Sequence, residues 1–304
     1  MTVRISVIIP TRSGAATLER CVLSAMSQNL PGTEVILVDN DSDPQTRDIL
    51  DSLEPRVGKV VRSGRNLGYA GGNNMGAKVA IGEILFLLND DAWLLPGALE
   101  AVLARMSTDP SIGVVGGKVY DPDGRTLQHV ELVVNNQAVS WYIGAGERDQ
   151  GQYDDEREVE YVTGSAWAIR RELWERLGGL SEAYFPGYFE DVEMCWAARR
   201  LGYRVIYLPG ARVCHEGMRT VGHLSRGYYY LYHRHRVRFL LRTFEKRRIG
   251  SFLRAEIRWI LSFRNYDQYF PLLRAYLWNL LRLRETLRGR GELRTLFEKS
   301  SEFR

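Results

Sequence analysis

Two adjacent carboxylates follow a run of five apolar residues, and they are the first candidate for a functional site. Residues 84–88, Ile-Leu-Phe-Leu-Leu, are typical of a strand buried on both faces, and Asn89, Asp90 and Asp91 follow directly. Neighbouring carboxylates repel each other unless a cation or a hydrogen-bond network relieves the repulsion. Mg²⁺ and Mn²⁺ prefer carboxylate oxygens and bridge to phosphate. The pair therefore indicates a metal site, and the alternative is a solvated acidic turn.

A second acidic group follows the aromatic segment 184–189, Tyr-Phe-Pro-Gly-Tyr-Phe. Glu190, Asp191 and Glu193 stand at the start of a predicted helix that continues to residue 201. The simplest interpretation is that these acids complement the positive end of the helix dipole. A carboxylate among aromatic rings also has a raised proton affinity, so it can serve as a general base.

The order of predicted elements brings the first acidic pair to a sheet edge. Strands are predicted over residues 3–9, 35–38, 57–62 and 84–88, and helices over 15–27, 44–53 and from the 65–74 loop to residue 81. Such alternation predicts a doubly wound parallel sheet with right-handed crossovers. Ligands bind outside the carboxyl ends of such strands, so Thr11, Asp39 and the Asp90–Asp91 pair are expected to meet there. Asp39 then either binds a ribose or base edge or caps a helix, although Asp41 or Ser42 could be the cap instead.

The second half of the chain has a less regular pattern. Helices are predicted over residues 96–106 and 170–177, and strands over 113–119, 204–208 and 211–214, with residues 161–167 returning to the core. Segment 144–158 is glycine-rich and charged, so we predict a mobile surface loop, with a lid over a site as the alternative. His215 follows the last strand and is either a packed or capping residue or a metal ligand.

Charge is distributed unevenly along the chain. Residues 218–304 contain 20 Lys or Arg and 7 Asp or Glu, which gives +13; residues 1–217 therefore carry −9, since the whole chain carries +4. This asymmetry predicts two parts, a domain over residues 1–217 and a basic helical extension over 218–304. The three cysteines lie far apart in sequence and match no zinc-site spacing, which favours a reducing, cytoplasmic compartment.

Apolar residues recur at helical spacing beyond residue 225, and arginines are interleaved with them. The simpler interpretation is a helical pair packed on the first domain with a solvated basic face. The alternative is an amphipathic surface over residues 225–290 that binds anionic lipid headgroups, so that the protein is peripheral on the inner membrane face. No stretch approaches the roughly 18 apolar residues that a membrane span needs. Nucleic acid is not expected as a partner, because acids at the sheet edge would repel it.

Several stretches, by their joint order and spacing, resemble inverting family 2 glycosyltransferases of the GT-A fold, in the branch with rhamnosyl- and galactofuranosyltransferases. The stretches are Ser6-Val7-Ile8-Ile9-Pro10-Thr11, Val38-Asp39-Asn40-Asp41-Ser42, Asn66-Leu67-Gly68-Tyr69-Ala70-Gly71-Gly72-Asn73, Leu88-Asn89-Asp90-Asp91, Gly164-Ser165-Ala166, Gly178-Gly179-Leu180-Ser181-Glu182, Tyr188-Phe189-Glu190-Asp191-Val192-Glu193 and Val213-Cys214-His215. The resemblance covers residues 3–240. It implies an α/β, Rossmann-like domain with a mostly parallel sheet flanked by helices, followed here by the basic helical extension.

The resemblance also implies a reaction and its participants. A sugar, with rhamnose as one candidate, would pass from a dTDP- or UDP-linked donor to a hydroxyl of a glycan or lipid-linked acceptor. The donor would lie against Pro10, Thr11, Arg12, Asp39, Arg65, Asn66, Gly71, Asn73 and Asp90. Asp91 would hold Mg²⁺ or Mn²⁺ on the diphosphate and His215 would complete the metal site, with the amide of Asn89 in place of the family's first carboxylate.

The acceptor side is assigned by the same resemblance. Asp191 would be the base that takes the acceptor proton, with Glu190 and Glu193 as alternatives. Trp167, Tyr188 and Glu190 would contact the acceptor, and Thr220 would replace a family serine. 

Two other classes of protein are alternatives to a glycosyltransferase. A sugar-phosphate nucleotidyltransferase should carry a glycine-rich loop after the first strand, and residues 10–14, Pro-Thr-Arg-Ser-Gly, lack it. No Gly-x-Gly-x-x-Gly follows that strand and no P-loop motif occurs, which disfavours the dinucleotide and P-loop folds. A non-enzymatic membrane- or nucleic-acid-binding protein would depend on the basic extension alone.

Overall fold

The structure is a computed structural model that describes residues 4–217, 225–243, 249–262 and 266–301. The chain divides into two compact units. The first consists of Met1–Leu132 and Tyr142–Gly217. The second consists of Val133–Trp141 and Met218–Arg304, so that the tip of a hairpin from the earlier part of the chain joins the C-terminal helices.

A ten-stranded mixed sheet forms the centre of the first unit. The strands are β1 (Ile5–Thr11), β2 (Thr33–Asp39), β3 (Gly58–Arg62), β4 (Ile84–Leu88), β5 (Ala92–Leu94), β6 (Ile112–Tyr120), β7 (Leu127–His129), β8 (Glu131–Val134), β9 (Ser140–Ile143), β10 (Arg157–Glu158), β11 (Ala166–Arg170) and β12 (Arg204–His215). The order across the sheet is β10-β12-β6-β11-β4-β1-β2-β3, with β5 on β12 and β7 on β6, while β8 and β9 form a separate hairpin.

Helices of the first unit lie on both faces of this sheet. They are α1 (Leu18–Met26), α2 (Pro44–Val57), α3 (Gly68–Val79), α4 (Ala98–Thr108), α5 (Arg171–Leu177) and α6 (Glu190–Arg200). Side chains alternate between faces along a strand, so Ile5, Val7 and Ile9 join one core cluster with residues of α1, α2 and α4. Ile8 points the other way and lies against Gly76 of α3, where any side chain at residue 76 would collide with it.

Most predicted elements are present, with two differences in the sheet. β1, β2, β3 and β4 pair in parallel, and β4 occupies residues 84–88 as predicted, buried throughout. The sheet is not uniformly parallel, because β11 runs antiparallel between β4 and β6. The two strands predicted near residue 208 are one strand, β12, with irregular register between Leu208 and Arg212.

The acidic segment 144–158 covers a buried lysine, which the sequence did not predict. Lys118 of β6 is 1% exposed, and its Nζ lies 3.0 Å from Asp149 Oδ2 and 2.5 Å from Asp154 Oδ1. Tyr120 Oη donates a 2.5 Å hydrogen bond to the same Asp149 oxygen. Asp149 and Asp154 therefore neutralise a charge in the sheet, a role that the prediction of a surface loop did not include.

The second unit is helical, as the basic extension predicts. Its helices are α7 (Arg226–Thr243), α8 (Ile249–Leu261), α9 (Tyr266–Leu281) and α10 (Leu283–Ser301). α7 lies at the centre, because its side chains or backbone bond to α8 through Glu256, to α9 through Asn279 and to α10 through Glu285. Among the described residues, no helix combines the length and the apolar character that crossing a membrane would require.

Candidate functional site

The ends of β1, β2 and β4 meet at one edge of the sheet, as the sequence predicts. Thr11 is the register partner of Asp39 in the parallel pair of β1 and β2. Thr11 Oγ1 donates a 2.5 Å hydrogen bond to Asp90 Oδ2. A side chain at Gly14 would overlap both the Asp90 carboxylate and the Thr11 hydroxyl, so their approach requires glycine at that position. Pro10, half-buried, and Arg12, exposed, flank Thr11 at this edge.

Asp39 fixes the turn after β2 and does not cap the next helix. Its Oδ1 accepts a 2.8 Å hydrogen bond from the backbone of Ser42. Burial acts to raise the pKa of Asp39, but the bonds from Ser42 and the charges of Arg47 and Arg62 together bring that pKa below its usual value. The cap of α2 is Asp43, whose Oδ1 accepts from the backbone of residue 46, so the three capping candidates considered from the sequence were wrong.

Asn40 holds the loop that carries the predicted donor residues Arg65 and Asn66. Its Oδ1 accepts from the backbone N–H of Leu67 at 2.8 Å, and its Nδ2 donates to the Gly68 carbonyl at 3.1 Å. Asn66 Oδ1 accepts from the Gly68 N–H at 2.8 Å, while the Arg65 side chain is exposed. Asn40 itself is 6% exposed, so it positions this loop from beneath.

Two predicted donor contacts, Gly71 and Asn73, lie inside α3 rather than in a loop. Asn73 is fully buried, and its Nδ2 donates a 3.0 Å hydrogen bond to the Tyr69 carbonyl. A side chain at Gly71 would collide with Leu67. Both residues therefore shape the first turns of the helix, and direct contact with a donor is not supported by their positions.

Asp91 and His215 face each other across the pairing of β5 with β12. His215 is the register partner of Ala92, which places its Nε2 3.1 Å from Asp91 Oδ1. The other ring nitrogen, Nδ1, is 2.6 Å from the amide oxygen of Gln128. An amide oxygen only accepts, so Nδ1 donates its proton to Gln128, and Nε2 is the ring nitrogen that faces Asp91.

This pair has the chemistry of a divalent-cation site. Two neighbouring ligands of an octahedral Mg²⁺, each about 2.1 Å from the ion, lie about 3 Å apart, which matches the distance between Asp91 Oδ1 and His215 Nε2. No group of three or more His, Cys, Asp or Glu side chains suited to a metal occurs within the part of the chain that the structure describes. Phosphate oxygens and waters would therefore complete such a site.

The three acids of the 190–193 segment differ in environment. Glu193 is 4% exposed and its Oε2 accepts a 2.6 Å hydrogen bond from Tyr184. Glu190 is 5% exposed, and its Oε2 finds no hydrogen-bond partner among the described residues. Burial, followed by the charge of Asp191, raises the pKa of Glu190 well above its usual value, which favours its neutral form.

Asp191 is the partly exposed member of this group. Burial raises its pKa to about 6, although hydrogen bonds with the backbone of Val192 and Gly164 oppose the rise. A carboxylate with such a pKa is ionised at neutral pH and is basic enough to take a proton in a reaction. Of the three acids, Asp191 therefore best combines access with basicity.

The backbone before Asp191 is strained. Tyr188 and Phe189 have φ of 79° and 77°, the left-handed region that suits glycine. Such residues cost roughly 1–3 kcal/mol each and persist where the surroundings hold them. Tyr188 is half-buried, and burial followed by the charge of Glu190 raises the pKa of its phenol, so it stays protonated beside the acids.

Trp167 lies behind the site and not on its surface. Its side chain is fully buried in β11, and Nε1 donates a 3.1 Å hydrogen bond to the hydroxyl of Tyr69. That hydroxyl donates in turn to the Gly164 carbonyl at 2.5 Å. The direct acceptor contact predicted for Trp167 is therefore wrong, and Trp167 instead supports Tyr69 and Gly164.

Segment 163–165 runs between the two acidic groups, and the sequence did not single it out as part of the site. Ser165 accepts a 2.9 Å hydrogen bond from the Asn89 N–H, and a side chain at Gly164 would lie 3.2 Å from Asp191 Oδ2. The Thr163 hydroxyl is 2.5 Å from Nε2 of His129. Burial, followed by the charge of His215, lowers the pKa of His129 to about 3, so its ring is neutral. The feature of the sequence that could have indicated this part of the site is the run of three small residues, 163–165, directly before a buried strand.

Thr220, predicted to replace a family serine, lies outside the described residues. The profile described as Glycosyl transferase family 2 matches residues 6–178, more than half of the sequence. The chain belongs to this family.

Relatives of this family 2 glycosyltransferase include an O-antigen biosynthesis protein and a rhamnosyltransferase. An uncharacterised protein of Sinorhizobium fredii is 30% identical over 72% of this chain and 25% of its own length. An O-antigen biosynthesis protein of Myxococcus xanthus is 31% identical over 71% of this chain and 17% of its own length. The chain thus spans a quarter or less of both relatives. The N-acetylglucosaminyl-diphospho-decaprenol L-rhamnosyltransferase of Mycobacterium tuberculosis is 26% identical over 86% of this chain and 90% of that enzyme.

Solved glycosyltransferases have the same fold. GalNAc-T7, in complex with UDP, GalNAc and Mn²⁺, superimposes with a TM-score of 0.64 at 18% identity, over 81% of this chain and 49% of that one. The mannosyltransferase PcManGT of Pyrobaculum calidifontis, in complex with GDP-Man and Mn²⁺, gives 0.58 at 20% identity, over 100% of this chain and 83% of that one. The GT-A fold expected from the sequence is confirmed.

Proposed function

We propose that this glycosyltransferase is metal-dependent and inverting, and that it transfers a sugar from a nucleoside-diphosphate donor to an acceptor hydroxyl. The observation that carries the proposal is the placement of segment 163–165. On one side it bonds to Asn89, next to the Asp90–Asp91 pair, and on the other Gly164 lies against Asp191. The proposed metal site, which would stabilise the charge of the leaving group, and the proposed base thus lie on either side of the same three residues. A displacement reaction requires these two functions close together.

The donor side follows from the strand ends. The hydrogen bond from Thr11 holds the Asp90 carboxylate, while Asp91 and His215 would hold Mg²⁺ or Mn²⁺. When bound, the cation would neutralise the charge that develops on the departing diphosphate. Gln128 fixes the ring of His215 through Nδ1, which keeps Nε2 available as a ligand. The Mn²⁺ and nucleotides bound by the two solved structures support a donor of this class.

The acceptor side depends on Asp191. Its carboxylate takes the proton of the acceptor hydroxyl, and the resulting oxygen attacks the anomeric carbon on the face opposite the leaving diphosphate. The C–O bond to the diphosphate breaks as the new glycosidic bond forms, so the configuration inverts. Gly164, held by Tyr69 from one side, fixes the distance between this base and the donor edge.

We propose a dTDP- or UDP-linked donor and a lipid-linked or glycan acceptor. The name of the mycobacterial relative, an N-acetylglucosaminyl-diphospho-decaprenol L-rhamnosyltransferase, supports the lipid-linked acceptor and makes rhamnose the first sugar to test. A lipid-linked acceptor also suits the basic residues 225–290, which we propose as a surface for anionic lipid headgroups on the inner face of the cytoplasmic membrane, with the protein cytoplasmic and peripheral.

Thermal-shift titration tests the donor site. UDP, dTDP and GDP, each with and without Mn²⁺, should include one nucleotide that raises the melting temperature only with the metal. Asp91→Ala should abolish that shift, whereas Asp191→Asn should keep it and lose sugar transfer. Product NMR should show inverted anomeric configuration. Metal-independent binding, or transfer by Asp191→Asn at the wild-type rate, would contradict the assignment.

A further inference from the structure

The second unit buries several polar side chains and exposes several large apolar ones. The polar or charged side chains buried in its helices are His233, His235, Arg236, Arg238, Glu256, Asn279 and Thr286. Large apolar side chains exposed on α8 and α9 are Leu253, Ile257, Leu261, Phe270, Leu273, Leu277, Leu280 and Leu281. In a water-soluble bundle, rows of large apolar residues on a helix normally face the core, so the exposed ones on α8 and α9 need an explanation.

The polar interior is held together by specific partners. Arg236, with no exposed surface, is ion-paired with Glu256, and Tyr276 donates a hydrogen bond to the same carboxylate. Arg236 also donates a 2.7 Å hydrogen bond to the Gln137 carbonyl in the hairpin tip. Its guanidinium lies 4.7 Å from the centre of the Trp259 ring. Breaking such a buried pair is costly, so this polar side of α7, α8 and α9 is their packed side.

The outward faces of α8 and α9 are continuous apolar stripes. Leu253, Ile257 and Leu261 follow four-residue spacing on α8 and are 51%, 57% and 79% exposed. Phe270, Leu273, Leu277 and Leu280 on α9 follow spacings of three, four and three, the repeat of one helix face, and each is more than half exposed. Isolated surface leucines need no explanation, but two such stripes in one unit indicate a covered surface.

Arginines border both stripes. Arg254 and Arg258 are exposed next to Leu253 and Ile257 on α8, and Arg274 is exposed next to Leu273 on α9. The aliphatic part of an arginine can lie along an apolar surface while its guanidinium reaches the phosphate layer of a bilayer. Apolar stripes with cationic edges are typical of helices that lie in the plane of a membrane interface.

We infer that α8 and α9 insert their apolar stripes into the acyl-chain region of an anionic bilayer, so that the second unit is a monotopic anchor. The inference rests on the proposed function, because a lipid-linked acceptor requires the enzyme to work at a membrane. It goes further by proposing that apolar side chains insert into the bilayer, where the proposed function invoked only attraction to headgroups. Neither helix can cross the membrane, so insertion is limited to the interface. A second copy is a poorer occupant, because residues 218–304 carry +13 and two such units would repel each other.

Vesicle flotation of the full chain tests the inference. Phosphatidylcholine vesicles with phosphatidylglycerol should bind the protein, and most binding should persist in molar salt, where charge attraction is screened. The double variant Leu273→Asn/Leu277→Asn should bind at least about tenfold more weakly, given the transfer free energy of a leucine side chain. Ile81→Asn is the matched control, because Ile81 is 62% exposed but lies in the first unit. This variant should bind the vesicles as the wild type does.

Insertion depth can be read from a label. The native Cys21, Cys195 and Cys214 are buried, so a cysteine introduced as Leu277→Cys can be labelled selectively with an environment-sensitive fluorophore. Its emission should shift to the blue on anionic vesicles and be quenched by brominated acyl chains, whereas the same label introduced as Ile81→Cys should show neither effect.

Several outcomes would overturn the inference. Release of the wild type by molar salt, with no blue shift at residue 277, would leave headgroup attraction alone. Light scattering that shows a dimer for the wild type and a monomer for the double variant, without vesicle binding, would assign the stripes to a second copy. The nucleotide-dependent thermal shift of the double variant provides an independent control: if that shift is retained, loss of vesicle binding concerns the anchor and not the donor site.

Discussion

His215 Nε2 lies 3.1 Å from Asp91 Oδ1, although residues 91 and 215 are far apart in the sequence. The antiparallel pairing of β5 with β12 places His215 beside Ala92 and creates this proximity. The backbone N–H of Glu216 also donates a 3.0 Å hydrogen bond to the Asp91 carbonyl, which fixes the turn after β4 to the end of β12. Two strands thus set the distance between the proposed metal ligands.

Gln128 is expected to control metal affinity without touching the metal. Gln128→Leu removes the acceptor for His215 Nδ1–H, so the ring loses its orientation. Loss of such an outer partner typically weakens metal binding about 10–100-fold. Calorimetric titration with Mn²⁺ in the presence of the donor nucleotide measures the change. Gln128→Glu keeps an acceptor for Nδ1–H but loses the amide that donates to Asp121 and to the His215 carbonyl, so it separates the two roles of Gln128. Equal Mn²⁺ affinity in the leucine variant and the wild type would refute the role.

Asp191→Asn should lower the transfer rate by roughly 10²–10⁴, the usual contribution of a general base. Burial raises the pKa of Asp191 to about 6, so the wild-type carboxylate is mostly ionised above pH 6 and mostly protonated below it. The value of kcat/KM should therefore be level above pH 6 and fall about tenfold per pH unit below it. Initial rates across this range test both statements. Glu193→Gln, which removes the acid bonded to Tyr184, should leave the acid limb in place.

Gly14→Ala should weaken donor binding without unfolding the domain. The added methyl group would meet the Asp90 carboxylate and the Thr11 hydroxyl and push them apart. We expect the donor KM to rise about five- to thirtyfold, as a shift of about one to two kcal/mol in binding implies. Gly250→Ala, in open space on α8, is the control and should leave KM unchanged. An unchanged KM in the Gly14 variant would show that this contact has no part in donor binding.

Lys118→Met should lower the free energy of unfolding by about 3–5 kcal/mol, the cost of removing one partner of a buried ion pair. Asp149 would be left without its lysine partner in a largely covered position. Urea denaturation measures the change, and the double variant Lys118→Met/Asp149→Asn should recover part of it. Full stability in Lys118→Met would mean that segment 144–158 is held by other contacts.

The stability of the same segment should also depend on pH. Burial acts to raise the pKa of Asp149, but hydrogen bonds from Tyr120, Gly151 and Lys118 together lower it below 3.8. A carboxyl group with a lowered folded-state pKa stabilises the fold above its unfolded value, and the contribution is lost as pH falls through the folded one. Acid titration of the wild type should therefore show a loss of stability below about pH 4 that is smaller in Asp149→Asn.

Much of the donor edge could be predicted from the sequence because strand ends are local features. Five apolar residues before Asn89 define β4, and the alternation of strands and helices places Thr11, Asp39 and Asp90 at one edge. Parallel pairing with right-handed crossovers leaves few other arrangements. The order of the motifs was also sufficient to indicate the family and its fold, which the profile match and the solved structures confirm.

Long-range pairing decided what the sequence left open. Only the insertion of β11 between β4 and β6 brings segment 163–165 beside Asn89, and only packing shows that Asp191 is partly exposed while Glu190 and Glu193 are buried. Periodicity tells which residues share a face of an element, but not which neighbour covers that face. For this reason the apolar stripes of α8 and α9 were predictable as stripes, whereas their outward orientation, around an interior that contains Arg236 and Glu256, required the tertiary structure.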